Sequence, residues 1–362
     1  MAIAQAIEDG LRFLASRQLP SGQFPVELTY YDREVRTRAV RQDPAVFATA
    51  HIAYSLDFLP HQSARELVSR TFPFFLHEMT GHGIWHYWNK AADWPGLNLY
   101  KFIPADLDDT ASVSYLLSRH GVPFPDNRPL MLLNRNRKGL FYTWFVLRPR
   151  LTMNIPYWRS LIGDITYLRY GRFFYTHANY GDVDGVVNAN VLLYLGERPE
   201  TKPVVDWLIH LVEEGNEAAY DKWYPHPFMF YYALSRNVHE GTARFDTVTE
   251  TIIDRIGLAA HADGRIGADE LHTGLAVNTA LNFRERTGNG PTWLTPAIDY
   301  LLGRQLDSGG WPSSPYYCTP GCDQTWGSEE LTTGICLEAL YRYQQSTVHE
   351  RANVDAAAAG VR

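Results

Sequence analysis

The chain has 362 residues, of which 45% are hydrophobic and 20% charged, with 27 glycines and 21 prolines. This composition is that of a globular protein with a large core, and it excludes a disordered chain. The formal net charge of −7 argues against nucleic-acid binding, which normally needs a basic face.

The N-terminal segment and the hydropathy of the chain favour a cytoplasmic protein. Residues 1–18 carry acids and have amphipathic helical spacing, unlike a secretory signal. No apolar run approaches the roughly 18 residues that span a bilayer. Three cysteines are too few for a disulfide framework, although Cys318 and Cys322 could pair or bind a metal.

Taken in order, the chain repeats one unit six times. Each copy has an amphipathic helix, a glycine-containing turn that ends in an aromatic or apolar residue, and a second, more apolar helix. The copies occupy residues 7–56, 61–119, 129–196, 204–236, 247–283 and 293–343. Second helices such as VVNANVLLYL are apolar all round, as expected of buried helices. No segment alternates clearly enough to predict a sheet.

This repetition predicts an all-α fold, an (α/α)6 barrel (toroid) of six outer and six inner helices. We expect residues 1–345 to form this single domain and residues 346–362 to form a flexible C-terminal tail. In such a ring the inner helices run parallel, so their N-termini and positive dipole ends open on one mouth. Functional residues are therefore expected at the starts of the inner helices.

Two motifs in this pattern resemble those of a known enzyme family. Residues 18–24 (QLPSGQF) and 305–311 (QLDSGGW) fit Q-x3-G-x-[F/W], the QW-type repeat of squalene–hopene cyclases and related terpenoid cyclases. Residues 106–111 (DLDDTA) fit the DxDDTA motif of class II terpene cyclases. The resemblance implies an enzyme of isomerase or lyase type that cyclises a linear prenyl or prenyl diphosphate substrate by protonating it. It also implies Asp108 as proton donor, supported by Asp106 and Asp109.

Physical chemistry leaves two interpretations of these three aspartates. Carboxylates at i, i+2 and i+3 cannot all ionise at low cost in a pocket of low dielectric, so one retains its proton. A helix N-terminus opposes this because it favours anions. The alternative is an N-cap followed by first-turn acids, which many helices have. The match to DxDDTA favours the proton donor.

Acidic and imidazole side chains also occur at the starts of other inner helices. Asp182 and Asp184 have the same spacing as Asp106 and Asp108, which predicts the same register, with Gly185 replacing the third aspartate. Further copies offer His226, Glu270, His272, Glu329 and Glu330. We expect all of these groups to converge at the mouth.

This convergence predicts a second kind of function, a metal-dependent enzyme. Carboxylates alone suit Mg²⁺, and carboxylates with imidazoles suit a transition metal ion. The ligands in that interpretation are Asp182, Asp184, His226 and His272. For a cyclase, the cofactor expectation is Mg²⁺ with a diphosphate substrate and otherwise none. A third class of function is a non-catalytic prenyl-lipid-binding protein, and a homodimer is open in each case.

The third copy carries a basic and aromatic insertion at about residues 128–180, whose only acid is Asp164. Three interpretations are open: a solvated basic surface, a lid, or a patch in peripheral contact with an anionic membrane. In a lid, aromatic rings would stabilise carbocations, and Arg169 and Arg172 would bind a diphosphate. Trp85, Phe230 and Tyr231 are the predicted substrate-binding aromatics near the turns and inner-helix starts.

Overall fold

The computed structural model of the chain describes residues 2–32, 37–91, 93–94, 97–98, 103–145, 152–166, 179, 181–287 and 290–360. Within these ranges the chain is rich in helix. The α-helices in chain order are α1 (Ile3–Arg17), α2 (Phe47–Leu56), α3 (Gln62–Glu78), α4 (Leu107–Arg119), α5 (Arg128–Leu133), α6 (Ile155–Thr166), α7 (Gly185–Leu195), α8 (Lys202–Glu214), α9 (Pro227–His239), α10 (Thr249–Gly257), α11 (Glu270–Thr287), α12 (Leu294–Gly303) and α13 (Glu329–Gly360). Short 3-10 helices cover Glu217–Tyr220 and Ala243–Val248.

The helices are of two kinds, as the repeats predict. First helices are buried on one face only: in α1 the buried residues are Ala6, Ile7, Gly10, Leu11, Phe13 and Leu14. Second helices such as α2 and α7 are buried at every position. An all-round apolar surface has to be covered on every side, so these helices form the inner layer.

The second helices pack side by side in chain order. Helix α2 contacts α4, α4 contacts α7, α7 contacts α9, α9 contacts α11, and α11 contacts α13. Helix α13 then contacts α2, so that the series of neighbours returns to its first member. Segments that lie far apart in the sequence are thereby brought into contact.

The glutamine and glycine of the two Q-x3-G-x-[F/W] motifs stabilise the turns between paired helices. Gln18 donates from Nε2 to the carbonyl oxygens of Gly22 (2.9 Å) and Leu67 (2.9 Å). Gln305 makes the matching bonds to Gly309 (2.7 Å) and Ala6 (2.9 Å). Gly22 has φ +92°, and a Cβ there would lie 1.9 Å from a neighbouring carbonyl oxygen. Only glycine therefore fits.

A second recurring contact fixes the register of the inner helices. In five of the described copies, a backbone N–H of the turn donates to a side-chain oxygen in the first turn of the inner helix. The pairs are Phe24 with Thr49, Trp85 with Thr110, Phe141 with Asn188, Ile266 with Thr273, and Trp311 with Thr333. These pairs identify equivalent positions in different copies.

The prediction that the chain has no sheet is wrong. Strands β1 (Glu27–Asp32), β2 (Thr37–Gln42), β5 (Tyr317–Cys318) and β6 (Gln324–Gly327) form one antiparallel sheet in the order β2-β1-β6-β5. Glu27 pairs with Gln42 of β2 and with Gly327 of β6. A two-stranded ladder joins β3 (Asp93–Trp94) and β4 (Leu97–Asn98). The strands escaped prediction because they are short and β2 is largely exposed.

The insertion and the tail are described in part. Helices α5 and α6 lie in the insertion, whereas residues 146–151 and 167–178 lie outside the described ranges. The backbone of residues 346–360 continues helix α13. The expected flexibility of that tail stays a prediction. In the described part of the chain, no helix has the length and apolar character needed to cross a membrane.

Candidate active site

The start of α4 brings three aspartates into the interior. Asp106 is the N-cap, with an extended backbone, and its carboxylate accepts from the backbone N–H of Asp108 at 2.7 Å. Its own N–H donates to the carbonyl of Trp85, which ties the cap to the preceding turn. Asp108 and Asp109 occupy the first helical turn and are buried. The N-cap interpretation therefore holds for Asp106 and leaves the other two without a capping role.

Asp108 receives two hydrogen bonds from side chains of other copies. The amide of Asn190, in α7, donates to Oδ1, and the hydroxyl of Tyr224 donates to Oδ2. Tyr224 lies in the segment that leads into α9. The three side chains come from three copies of the repeat, and all are buried.

A buried arginine extends this network. Arg236, in α9, is 2% exposed and donates to Oδ1 of Asn190. Its guanidinium also lies over the rings of Tyr54 (4.8 Å) and Tyr232 (5.1 Å). The positive charge polarises the Asn190 amide toward Asp108. The guanidinium of Arg236 thus donates to the amide of Asn190, and that amide donates to the carboxylate of Asp108.

The three aspartates differ in acidity. Burial, then the charge of Asp108, raises the pKa of Asp106 well above its usual range. Burial, then the charges of Asp106 and Asp108, does the same to the pKa of Asp109. Burial also raises the pKa of Asp108, but the hydrogen bonds of Tyr224 and Asn190 oppose it. Asp108 is thus the carboxyl whose anion is best stabilised by donors.

Two further acids belong to this cluster. Asp184 is the N-cap of α7 and accepts from the backbone N–H of Val186 (2.9 Å) and Val187 (3.3 Å). Burial, then the charge of Asp108, raises its pKa to about 8. Asp221, which follows the 3-10 helix Glu217–Tyr220, is buried, and neither of its carboxylate oxygens has a hydrogen-bond partner. Burial and the charge of Asp184 raise its pKa well above the usual range.

The predicted register of Asp182 and Asp184 is wrong by two residues. The turn contacts equate Asn188 with Thr110, so the N-cap Asp184 corresponds to Asp106. The positions of Asp108 and Asp109 are then filled by Val186 and Val187. Spacing alone gave the wrong register because the N-cap of α7 is the second aspartate of its DxD segment, whereas the N-cap of α4 is the first.

Aromatic side chains continue from Tyr224 along the interior. The Phe47 ring lies 6.3 Å from that of Tyr224, 4.2 Å from His51 and 6.3 Å from Tyr316, between ring centroids. Tyr317 of β5 meets Phe47 edge to face at 5.4 Å. Such rings are compatible with both an apolar chain and a developing positive charge. The unpredicted sheet therefore contributes a ring to this aromatic cluster.

The predicted substrate-binding residues have varied positions. Trp85 is fully buried and donates from its indole nitrogen to the carbonyl of Phe75 at 2.8 Å, as a core residue does. Phe230 packs against Gly185 at the start of α7. The hydroxyl of Tyr231 donates to Glu217 at 3.1 Å. Arg169 and Arg172 lie outside the described residues. A role for any of them in binding stays a prediction.

The alternative metal ligands do not form one cluster. Asp182 pairs with Lys222 at 2.5 Å, and Asp184 caps its helix. His226 and His272 stack on each other, with ring centroids 4.2 Å apart. Their Nδ1 atoms accept backbone N–H groups, so in the neutral rings Nε2 carries the hydrogen and cannot ligate. Among the described residues, no three His, Cys, Asp or Glu side chains are placed to hold a metal ion.

Other predicted members of the mouth cluster are paired with outer helices. Glu270 accepts from Arg304 of α12, and Glu330 from Arg17 of α1, each at 2.6 Å. Fewer acidic side chains therefore meet at the starts of the inner helices than the repeats predict. Cys318 and Cys322 are free thiols whose sulfur atoms lie 2.7 Å apart.

The sequence contained signals for the residues that were missed. Asn190 and Arg236 are polar residues at fully buried positions of inner helices, and a buried polar group needs a partner. Arg236 donates to Asn190, and Asn190 donates to Asp108. Asp221 had no such signal, because it lies in a turn where acids are common.

The sequence of the chain matches no protein-family model, and no curated protein matches it significantly. Solved structures are similar to it. A protein from Actinoplanes superposes with a TM-score of 0.66 at 17% identity, over 94% of this chain and 99% of the other. The apo type II terpene cyclase MstE from Scytonema superposes with a TM-score of 0.66 at 15% identity, over 95% and 99% of the two chains.

A larger enzyme is also similar over part of its length. The ent-copalyl diphosphate synthase from Streptomyces platensis superposes with a TM-score of 0.54 at 20% identity, over 82% of this chain and 50% of the other. A variant of the Scytonema cyclase has been solved with geranylgeranyl dihydroxybenzoate, its substrate. At these identities the similarity concerns the fold, and the chain has a terpene-cyclase-like helical fold.

Proposed function

We propose that the chain is a terpene cyclase of class II type, which begins the cyclisation of a linear prenyl or prenyl diphosphate substrate by protonating it from Asp108. The observation that carries the proposal is the environment of this carboxyl. It is buried beside two other acids and accepts hydrogen bonds from Asn190 and Tyr224. Burial raises the pKa of Asp108 and so favours its protonated form, and the two donors stabilise the anion left after transfer.

The fold proposed to hold this site is a closed (α/α)6 barrel. The cyclic order of contacts among α2, α4, α7, α9, α11 and α13 supports it, as do the helical neighbours. The Scytonema cyclase is covered over 99% of its length, so a type II cyclase of this extent has a precedent. Its substrate is a prenylated aromatic acid, which adds that class to the substrates to be tested.

In the proposed mechanism, each carboxyl has a separate task. The O–H bond of Asp108 breaks as a C–H bond forms at the terminal alkene, and the cation that results is attacked by the next double bond. Asp106 holds the start of α4 through its cap, and the raised pKa of Asp109 disfavours a second negative charge beside the donor. The rings of Phe47, Tyr224 and Tyr316 line the path of the cation. No step is assigned to a metal, because the described residues do not form a ligand set.

The test is a product assay with matched variants. Wild-type protein, Asp108→Asn and Asp184→Asn are incubated with C15 and C20 prenyl diphosphates and with a geranylgeranylated aromatic acid, with and without Mg²⁺. We expect cyclised product from the wild type and from Asp184→Asn, and none from Asp108→Asn. Full cyclisation by Asp108→Asn would refute the proton donor. Tight binding of a prenyl chain without turnover would favour a non-catalytic carrier.

A further inference from the structure

The proposed reaction adds a proton at its start, and the way it ends determines the product. The final cation either loses a proton from a neighbouring carbon, which gives an alkene, or captures water, which gives an alcohol. Loss of a proton needs a base close to that carbon, with a lone pair that carries no proton before the reaction. The inference below rests on the proposed function and concerns that base.

His51 has the properties of such a base. It lies in the middle of α2 and is 3% exposed. Its Nδ1 lies 2.8 Å from the hydroxyl of Tyr316, whereas Nε2 is buried and has no hydrogen-bond partner. The ring packs against Phe47 at 4.2 Å and against Tyr316 at 5.3 Å. A buried imidazole with one nitrogen unpaired is unusual, because buried polar groups are normally satisfied.

The charge state of His51 suits this role. Burial, then the positive charge of Arg236, lowers its pKa well below the usual range, so the imidazole is neutral at neutral pH. A neutral imidazole at this site is a weak base. A weak base suffices, because a C–H bond next to a carbocation is far more acidic than an imidazolium ion.

Several other carboxylates and imidazoles in the described part of the interior accept hydrogen bonds or have raised pKa values. Asp43 accepts from Tyr87, Trp88 and Trp326. Glu338 accepts from Ser55, Tyr232 and Arg342. Burial and the charges of neighbouring carboxylates raise the pKa of Asp184 to about 8 and that of Asp221 well above its usual range. His226 and His272 use their Nδ1 lone pairs on backbone N–H groups.

We propose that His51 is the base that ends the cyclisation, accepting a proton at Nε2 while Nδ1–H donates to the hydroxyl of Tyr316. A C–H bond next to the final cation breaks, its electron pair becomes the new double bond, and the proton goes to Nε2. After the product leaves, the imidazolium loses its proton to solvent and the carboxylate of Asp108 takes one up. Protons taken and given are equal, so no co-reactant is needed and the product is an isomer of the substrate.

The positions of the acid and the base fit the two ends of one reaction. Tyr224, which donates to Asp108, lies 6.3 Å from Phe47, and Phe47 packs on His51. One aromatic surface therefore extends from the proton donor to the proton acceptor. We expect the substrate end that is protonated first to lie near Asp108 and the ring that loses a proton last to lie near His51.

The experiment compares product distributions by gas chromatography and mass spectrometry in H₂¹⁸O. The proteins are the wild type, His51→Phe, His51→Gln and the control Tyr54→Phe. Tyr54 also lies in α2 and has a buried, unpaired hydroxyl. We expect His51→Phe to consume substrate within about tenfold of the wild-type rate, because Asp108 is intact, while the share of the wild-type alkene falls at least about tenfold. ¹⁸O-labelled alcohol or isomeric alkenes replace it, and Tyr54→Phe keeps the wild-type product.

Two results would overturn this assignment while the proposed function stands. One is an unchanged alkene from both His51 variants, and the other is loss of substrate consumption in a folded variant. A ¹⁵N NMR spectrum of wild-type protein labelled at histidine tests the tautomer without any substitution, and a hydrogen on Nε2 of His51 would contradict the assignment. If the wild type converts no substrate, the proposed function fails, and the base fails with it.

Discussion

The first turns of α4 and α7 share one capping arrangement but differ in the residues that they bury. In each, an aspartate caps the helix: Asp106 accepts a backbone N–H of the first turn, and Asp184 accepts two. Four residues later, Thr110 and Asn188 bind the preceding turn. Between these positions α4 has Asp108 and Asp109, whereas α7 has buried valines.

The difference separates structural acids from acids that the fold does not need. A capping aspartate satisfies backbone groups that would otherwise be unpaired, so it occurs in both copies. Valine at the positions of Asp108 and Asp109 shows that an inner helix folds without carboxyls there. Burying two extra acids costs stability, and that cost is expected only where chemistry requires it. The following predictions test this division.

The largest effect is expected from Asp108→Asn. Removing the proposed proton donor should lower the rate of cyclisation by about 10³-fold or more, because a side-chain amide is far too weak an acid to protonate an alkene. The thermal unfolding midpoint should stay close to that of the wild type, since the helix cap is intact. Initial rates and circular dichroism would be measured together. A comparable loss of rate in Asp184→Asn would contradict the interpretation of Asp184 as a capping residue only.

The buried carboxyl of Asp184, the N-cap of α7, should make the free energy of unfolding depend on pH. The pKa of Asp184 is raised to about 8 by burial, so the folded state keeps a proton that the unfolded chain loses at lower pH. Stability is therefore lost as pH rises through the window up to about 8, by roughly 1.4 kcal/mol per unit if this group acts alone.

Asp184→Asn should remove that slope and keep the cap, because asparagine caps as well as aspartate. Urea unfolding of both proteins at several pH values measures the difference. We expect similar stability near pH 4 and a more stable variant near pH 8, by about 5 kcal/mol if this group acts alone. Parallel pH dependences in the two proteins would contradict the protonated state of Asp184.

A smaller effect is expected from Tyr224→Phe. The variant loses one of the two side-chain donors to Asp108, so the anion is less stabilised and the rate should fall about tenfold. That hydrogen bond lowers the pKa of Asp108, so its loss should move the alkaline limb of the rate profile to higher pH. A merely structural tyrosine would lower the rate without moving the limb.

The smallest effect is expected from Asn188→Thr. Threonine would place a hydroxyl where Thr110 has one, accepting from the N–H of Phe141 and donating to the carbonyl of Asp184. The free energy of unfolding should change by less than about 1 kcal/mol, and the rate should not change. Asn188→Val, which has no acceptor, provides the contrast and should cost more. Equal stability of the two variants would show that this contact does not fix the register.

The sequence predicted those site residues whose pattern lies within a few consecutive residues, and it missed those that depend on distant contacts. Asp106, Asp108 and Asp109 were found because their spacing and place at a helix start are features of a few consecutive residues. The register of Asp184 was mistaken because two DxD segments look alike until the cap is known. Asn190 and Tyr224 were not assigned as donors, because only packing between copies brings them to Asp108.

The sequence by itself determined the division into paired helices, since periodic apolar residues and recurring glycine turns are encoded within each copy. It also determined which helices are inner ones, because a helix that is apolar all round has to be covered. The tertiary structure alone decided which groups meet. Sheet pairing between β1 and β6, the network from Arg236 to Asp108, and the separation of Glu270 and Glu330 from the acid cluster all join distant segments. Such contacts form only when distant segments pack together, and no local sequence pattern encodes that packing.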